Sequence, residues 1–256
     1  MGSPFRDARS SQLSIQSTRG DTRAAAIRVR VSETFVSRQG EGELTGTDSF
    51  FVRTSGCNLR CWFCDTPYAS WHPEGDQVCL ESLLEQADES GCRHIVLTGG
   101  EPLVYEATET FCQLARQAGY HLTIETAGTV PRQIECDLLS LSPKLSGSAP
   151  DPEEHPEWHQ RHQQRRLPIN VMRDLIDRSD RTQVKFVVDH QREWDEVLLV
   201  VDDLQVSPDQ VWIMPQAVTV QELDQSEAWL RPWAEGNRFR YCDRQQIRWY
   251  GNRRGT

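Results

Sequence analysis

Three cysteines stand close together at Cys57, Cys61 and Cys64 and form a CxxxCxxC pattern. Thiolates are soft ligands that suit zinc ions and iron–sulfur clusters. A structural zinc ion and a cubane cluster both normally take four protein ligands, whereas this segment supplies three. A cubane that is held by three thiolates leaves one iron open, where a ligand can bind and react. The spacing therefore predicts a catalytic metal centre.

Two other metal sites can be drawn from the sequence. His72, eight residues beyond Cys64, could complete a zinc site with the three cysteines. His155, His159 and His162 have the spacing of one helical face, but no acidic or cysteine ligand accompanies them. We interpret residues 148–166 as a solvated loop that leads into a helix.

Five further cysteines are scattered singly, and no second close group exists. A cytosolic protein keeps such thiols reduced. Cys112 falls in an apolar-periodic stretch, which favours packing in the core. We predict packing roles for the other four as well: Cys79, Cys92, Cys136 and Cys242.

Polar signatures follow several apolar runs that look like strands. They begin at Thr98, Glu125, Ser142 and Met214. Ligands of parallel α/β sheets bind at the carboxyl ends of the strands. We therefore expect these four signatures to face one cavity.

The elements that must position these groups alternate along the chain. We predict strands at residues 27–36, 50–54, 94–98, 121–126, 138–142, 183–188 and 211–214, and helices at 80–90, 103–118, 194–204 and 220–234. Short apolar strands that alternate with helices favour an α/β fold with mostly parallel strands and right-handed crossovers.

Composition and charge narrow the classes of protein. The 256 residues are 37% hydrophobic and 26% charged, with a formal net charge of −10, which argues against a general nucleic-acid binder. No apolar run approaches the roughly 20 residues of a membrane span, and no apolar segment after Met1 resembles a secretory signal. We expect a cytoplasmic enzyme with no nucleic-acid or membrane partner.

The first 24 residues are polar and lack periodicity. Their Arg and Ser content hints at a transit peptide, but Asp7 and Asp21 count against it. We interpret residues 1–24 as a disordered leader and residues 25–256 as a single domain.

The cysteine pattern resembles the signature of the radical S-adenosylmethionine superfamily. The TGGEP segment at 98–102 is similar to the glycine-rich motif by which that superfamily binds the methionine part of its cofactor. The resemblance implies a [4Fe–4S] cluster, S-adenosylmethionine and a partial (β/α)6 barrel with the cluster loop after the first strand.

Further motifs resemble the 7-carboxy-7-deazaguanine synthase family from about residue 30 to the C-terminus. They occur in order as QGEG at 39–42, FVR at 51–53, GCNL at 56–59, CDT at 64–66, TGGEPL at 98–103, SPK at 142–144, KFVV at 185–188 and GNRRG at 251–255. The family converts 6-carboxy-5,6,7,8-tetrahydropterin to 7-carboxy-7-deazaguanine with loss of ammonia, a step toward queuosine and related 7-deazapurines.

Two alternatives stay open. Another radical enzyme, such as an activase of glycyl-radical proteins, shares the cysteine spacing and the glycine motif. It does not explain residues 39–42, Arg53 and Thr66 together. A zinc-binding module without catalytic activity is the other alternative.

The resemblance implies roles for residues near the cofactor. Gly100 would let the backbone approach the cofactor closely, and Glu101 would accept from its ammonium group. Further contacts are implied for Glu125, Ser142, Pro143 and Lys144, and for Met214, Pro215 and Gln216.

The resemblance also implies substrate and metal contacts. Arg53 would bind the substrate carboxylate through its planar fork. Gln39, Gly40 and Glu41 would contact the pterin, with Thr98 as a further contact, and Thr66 would bind Mg²⁺. Without the resemblance, Thr66 would be interpreted as a turn residue.

The chain departs from the family pattern at two positions. Ala127 stands where an Asn is expected, and Gln246 stands where a His is common. Each departure puts one polar contact in doubt. The family further implies an external electron donor of the flavodoxin or ferredoxin type and a homodimer.

Overall fold

The computed structural model describes residues 26–256. The predicted leader, residues 1–24, lies outside the described residues. The strands are β1 Arg28–Arg38, β2 Asp48–Thr54, β3 Asp76–Cys79, β4 His94–Gly99, β5 His121–Thr126, β6 Leu138–Leu141, β7 Thr182–Val188, β8 Val211–Pro215 and β9 Arg240–Tyr241. The helices are α1 Pro67–Ser70, α2 Leu80–Ser90, α3 Ala107–Gln117, α4 Pro156–Arg165, α5 Ile169–Asp177, α6 Trp194–Leu204, α7 Val220–Gly236 and α8 Gln245–Tyr250.

The nine strands form one open sheet in the order β3-β1-β2-β4-β5-β6-β7-β8-β9. β1 pairs antiparallel with both of its neighbours, and every other pair is parallel. The predicted α/β fold with mostly parallel strands is confirmed. The strands β2, β4, β5, β6, β7 and β8 supply the six parallel strands of a partial barrel. β1 and β3 extend one edge of this run, and β9 extends the other.

Every crossover between parallel strands of the described chain carries a helix except one, for which no helix was predicted. Residues 127–137 connect β5 to β6 without a helix. Gly128, at a φ of +68°, and Pro131 lie in this connection, and both residue types disfavour a helix interior.

The core lies between the sheet and its outer helices. Strand β6 is buried along its whole length, and large side chains such as Phe111 of α3 and Phe186 of β7 are at most 2% exposed. Burial of each such side chain stabilises the fold by about 1.5–3 kcal/mol. Cys112, Cys136 and Cys242 are buried, in agreement with the predicted packing roles, whereas Cys79 and Cys92 are half-buried.

Several elements were not predicted. β3 and β9 have four and two residues, too few for periodicity to be visible. The predicted helix at 103–118 divides into a short 3-10 turn, Pro102–Val104, and α3. Residues 148–166 are a loop followed by α4, as predicted. None of the helices within residues 26–256 is both long enough and apolar enough to cross a membrane.

Candidate active site

A cavity of about 490 Å³ opens at the carboxyl ends of strands β2 and β4–β8. The loop between β1 and β2, the cysteine loop and the C-terminal tail complete its wall. The structure thus brings the strand-end signatures together, as expected. Every predicted site residue lines the cavity except three: Glu101, Pro143 and Pro215.

The cysteine loop follows β2 and places all three thiols in this cavity. Within the loop, the Arg60 guanidinium donates to the Cys57 and Leu59 carbonyls, each at 2.7 Å, and the Cys64 amide donates to the Cys61 carbonyl at 3.3 Å. Cys64 Sγ lies 3.0 Å from Ser70 Oγ of α1. Burial raises the pKa of Cys57 to about 12 and that of Cys61 to about 11. These thiols must therefore release protons when they bind a metal.

Two backbone hydrogen bonds join the glycine segment after β4 to the end of β2 and the start of the cysteine loop. The Gly100 amide donates to the Thr54 carbonyl at 3.1 Å, and the Glu101 amide donates to the Gly56 carbonyl at 2.9 Å. A Cβ atom at Gly100 would collide with the carbonyl oxygen of Gly56. The close approach that requires glycine here is thus between two protein segments, although Gly100 also lines the cavity.

A row of polar side chains crosses the inner face of the sheet. Its members stand side by side in the strand register and run from Glu33 through Arg53, Thr98, Glu125 and Ser140 to Gln183. Arg53 Nε donates to Glu33 at 2.7 Å, Thr98 Oγ1 donates to Glu125 at 2.8 Å, and Gln183 Nε2 donates to Ser140 Oγ at 2.9 Å. A polar inner face is unusual for a parallel sheet that helices cover and marks a surface that binds ligands.

Arg53 is fixed by Glu33 through Nε alone. This leaves both terminal nitrogens free of protein partners among residues 26–256. Burial alone would raise the pKa of Glu33, but hydrogen bonds from Arg53, Tyr68 and Arg254 outweigh it and lower the pKa. The charged Glu33 carboxylate therefore holds Nε of Arg53, and the two terminal nitrogens of Arg53 remain available to a ligand.

Glu41 enters the same cavity from the loop between β1 and β2 and is held by two buried cations. Lys185 of β7 donates to one carboxylate oxygen, and Arg244 donates to the other at 3.2 Å. Burial alone would raise the pKa of Glu41, but these cations outweigh it and lower the pKa to about 2. Arg244 also pairs with Asp65, next to Thr66 in the cysteine loop. The loop between β1 and β2 is thus tied electrostatically to the cysteine loop.

Comparison with known proteins gives the family. The model of the radical SAM superfamily matches residues 51–155. A 7-carboxy-7-deazaguanine synthase of Rhodopirellula baltica is 56% identical over 239 residues, which cover 93% of each chain. The chain belongs to the 7-carboxy-7-deazaguanine synthase family.

Two more distant relatives agree with this placement. A 7-carboxy-7-deazaguanine synthase of Halobacterium salinarum is 38% identical and covers 85% of this chain and 88% of its own. The crystal structure of QueE from Escherichia coli superimposes with a TM-score of 0.65 at 20% identity, covering 85% of this chain and 94% of that one. The latter supports the fold.

Membership of the radical SAM superfamily implies a [4Fe–4S] cluster and S-adenosylmethionine, and the residues present fit both. Three soft thiol donors share one wall of the cavity. No three His, Cys, Asp or Glu side chains of the described chain are already arranged around a single metal ion. A structural zinc ion needs such convergence, whereas each thiolate of a cubane binds a different iron.

The Glu101 carboxylate of this 7-carboxy-7-deazaguanine synthase is bound by other groups of the protein. Its carboxylate is fully buried and accepts from the Leu103 amide at 3.0 Å, from Thr126 Oγ1 at 2.6 Å and from the Ala127 amide at 2.8 Å. Burial raises its pKa despite these bonds. Glu101 thus joins the ends of β4 and β5, and its contact with a cofactor ammonium stays a prediction. Pro143 and Pro215 lie outside the cavity wall as well.

Lys185, Arg244 and Glu33 are site residues that the sequence did not reveal. The sequence does contain an indication of Lys185, because a lysine within the apolar strand segment QVKFVV must be buried on one face of the sheet or the other. Arg244 had none, since the loop before α8 has no periodicity from which to place it. Glu33 is one of several polar residues of β1, and only the register shows that it stands beside Arg53.

At both positions that depart from the family pattern, the structure shows a polar contact. Ala127 contributes its backbone amide, which donates to Glu101, and this contact does not depend on the side chain. Gln246 Nε2 donates to Glu41 Oε1 at 2.7 Å, a bond that an imidazole N–H is also able to make. Gln246 therefore keeps a donor on Glu41.

Proposed function

We propose that this enzyme converts 6-carboxy-5,6,7,8-tetrahydropterin to 7-carboxy-7-deazaguanine with loss of ammonia, a reaction of queuosine and 7-deazapurine biosynthesis. One observation carries the proposal. The free fork of Arg53 and the charged carboxylate of Glu41 line the same cavity as the three thiols. A carboxylated pterin needs both kinds of group, because it presents an anion at one end and N–H donors at the other.

Arg53 binds the substrate carboxylate in this proposal. Its two terminal nitrogens match the two oxygens of a carboxylate, and charge-assisted bonds of this kind are among the strongest in proteins. Glu33 holds Nε and so limits the rotation of the guanidinium group. The substrate therefore meets a fork that is already oriented.

Glu41 accepts from the N–H groups of the pterin ring. Lys185 and Arg244 keep its carboxylate charged at every physiological pH, and a charged carboxylate is an acceptor only. Gln39 and Gly40 precede it in the cavity wall, and Thr98 stands beside Arg53 in the polar row. The ring thus lies between the loop that carries Glu41 and the strand ends.

Cys57, Cys61 and Cys64 hold the cluster, and Gly100, Glu125, Ser142, Lys144, Met214 and Gln216 border the space for S-adenosylmethionine. When bound, the reduced cluster and S-adenosylmethionine supply the radical that removes a hydrogen atom from the substrate. Lys144 Nζ donates to Ser142 Oγ at 2.7 Å, so a cation and a hydroxyl are held together in the wall of the cavity that the thiols line. They suit the carboxylate of the methionine part.

The C-terminal tail closes one side of the cavity. Arg253, Arg254 and Thr256 line it. Arg254 donates to Glu33 and to Glu74, each at 3.0 Å, and its guanidinium lies 4.0 Å above the Tyr68 ring. A wall anchored in this way excludes water from a radical reaction, which protects reactive species from side reactions.

Mg²⁺ binds at Thr66 in this proposal. Thr66 stands at the first position before α1, yet its hydroxyl does not cap that helix. Its recorded contact is with Cys64 Sγ at 3.7 Å. A hydroxyl at the cavity wall with one long contact to sulfur suits Mg²⁺, which takes few protein ligands and completes its shell with substrate and water oxygens.

Four further parts of the proposal concern the whole protein. The electron comes from an external donor of the flavodoxin or ferredoxin type, the protein acts as a homodimer, residues 25–256 form a single domain, and the reaction takes place in the cytoplasm. Family membership supports the first two, and the one continuous sheet supports the third.

Anaerobic incubation of the reconstituted protein with the carboxypterin, S-adenosylmethionine, Mg²⁺ and dithionite tests the reaction. Formation of 7-carboxy-7-deazaguanine, identified by mass, is expected from the parent and from Cys79→Ala. Cys61→Ala should form none. A parent with a full cluster that cleaves S-adenosylmethionine and leaves the carboxypterin unchanged would refute the proposed substrate.

A further inference from the structure

Helix α4 lies against the cysteine loop, and His162 is its fully buried side chain. The Arg60 amide, one residue before Cys61, donates to His162 Nδ1 at 3.2 Å. His162 Nε2 lies 2.9 Å from Ser148 Oγ. One imidazole thus connects the cysteine loop to the segment that follows β6.

The direction of these hydrogen bonds follows from the donors. A backbone N–H only donates, so His162 Nδ1 carries no proton. Nε2 of the neutral ring then carries the proton and donates to Ser148 Oγ, which in turn donates to the Leu145 carbonyl at 2.6 Å. Both ring nitrogens are engaged, which excludes His162 from the three-histidine metal site that the sequence left open.

Two more side chains of α4, Trp158 and Arg165, contact the same part of the loop. The Arg60 guanidinium donates within the loop to the carbonyls of Cys57 and Leu59, each at 2.7 Å, and lies 4.0 Å above the ring of Trp158. Arg165 donates to the Asn58 carbonyl at 3.4 Å. The backbone from Cys57 to Arg60 is therefore held both by the Arg60 side chain and by His162 and Arg165 of α4.

We propose that His162 is a positioning residue, whose Nδ1 fixes the loop between Cys57 and Cys61 in the conformation that binds the cluster. The inference rests on the three-thiolate cluster of the proposed function. Loss of the acceptor would leave the half-buried Arg60 amide without a protein partner, and the loop would move to satisfy it. The cysteines on both sides of that amide would then hold the cluster less tightly.

Two substitutions separate the two ring nitrogens. In His162→Asn, the side-chain oxygen lies near the place of Nδ1 and is able to accept from Arg60. In His162→Gln, the amide nitrogen lies near the place of Nε2, so the bond to Ser148 is kept and the acceptor for Arg60 is lost. His159→Gln is the matched control, because His159 lies on the same helix and contacts the Pro150 carbonyl, outside the cysteine loop.

The readout is cluster loss from the anaerobic holoenzyme under a chelator, followed by visible absorption and iron content. We expect the unpaired, half-buried Arg60 amide of His162→Gln to make cluster loss at least about ten-fold faster than from the parent, which corresponds to about 1.4 kcal/mol. His162→Asn and His159→Gln should stay within about three-fold of the parent on the same scale. The reduction potential of the cluster should shift in His162→Gln and not in His159→Gln.

Equal loss rates in His162→Asn and His162→Gln, or a parent-like rate in His162→Gln, would overturn the proposal. Circular dichroism of the cluster-free proteins checks that both variants fold. If neither folds, hydrogen exchange of the Arg60 amide in the parent holoenzyme tests the same bond, and exchange as fast as that of an unbonded loop amide would overturn the proposal instead. None of these measurements uses the carboxypterin, so their failure is distinguishable from failure of the proposed reaction.

Discussion

Substitution of the buried ion pair between Glu41 and Lys185 is the strongest test of the electrostatic contacts that hold the site together. Removal of the Glu41 charge by Glu41→Gln leaves Lys185 buried, with Glu125 at 3.8 Å as its remaining anion within the described residues. Removal of one member of a buried ion pair typically costs about 3–5 kcal/mol of stability. We expect Glu41→Gln and Lys185→Met each to lower the free energy of unfolding of the cluster-free protein by an amount in this range.

This expected loss of stability agrees with the lowered pKa of Glu41. Its pKa falls from 4.5 to about 2 in the fold, and each factor of ten in proton affinity is worth about 1.4 kcal/mol. The fold therefore favours the charged carboxylate by about 3 kcal/mol, which Lys185 and Arg244 share. Because the folded pKa is the lower one, this stability is fully present above pH 4.5 and is lost as the pH falls toward 2.

The assay is guanidinium unfolding at pH 7 of the parent, both single variants and the double variant. The double variant should be more stable than the sum of the single effects predicts, by about 1.5–3 kcal/mol. Asp174→Asn is the control, because it breaks an exposed ion pair with Arg178 on α5 and should change the stability far less. Additive effects, to within about 0.5 kcal/mol, would refute the coupling.

Three further predictions concern ligands. Cys61→Ala should lose the cluster, measured as iron content and visible absorption, and Cys112→Ala should keep it; iron loss from the second variant would contradict the three-thiolate site. Arg53→Ala should weaken carboxypterin binding by about 30-fold or more and leave S-adenosylmethionine binding unchanged, with partial recovery in Arg53→Lys; unchanged carboxypterin affinity would remove Arg53 from the site. Thr66→Val should keep the cluster and lose the stimulation of turnover by Mg²⁺, whereas Thr66→Ser should retain most of it; a parent-like Mg²⁺ titration of Thr66→Val would argue against Thr66 as a ligand.

The central strands and longer helices were predictable because their periodicity is strong. The bounds of α2, α6 and β5 agree with the prediction to the residue. The strand-end signatures were predictable as neighbours, since parallel strands bring their carboxyl ends to one edge. The short edge strands were not, because four residues or fewer carry no period.

The contacts of buried charges were less predictable than their positions. The sequence places Glu101 after a strand and beside a cavity, but it does not say that three protein donors already occupy its carboxylate. It also gives no sign that Arg244 reaches both Glu41 and Asp65, since those partners lie about 200 residues away. Such long-range pairs depend on tertiary structure.

The most direct test of the proposed reaction follows hydrogen and nitrogen together. The carboxypterin, deuterated at its saturated ring carbons, is incubated anaerobically with the reduced enzyme and S-adenosylmethionine. The proposed reaction predicts one ammonia for each 7-carboxy-7-deazaguanine formed. Because the substrate equals the product plus ammonia in atoms and electrons, the hydrogen atom that is removed must be returned, so deuterium should appear in the S-adenosylmethionine that is recovered. Recovery of S-adenosylmethionine without deuterium, and without ammonia or a ring-contracted product, would contradict the proposed reaction.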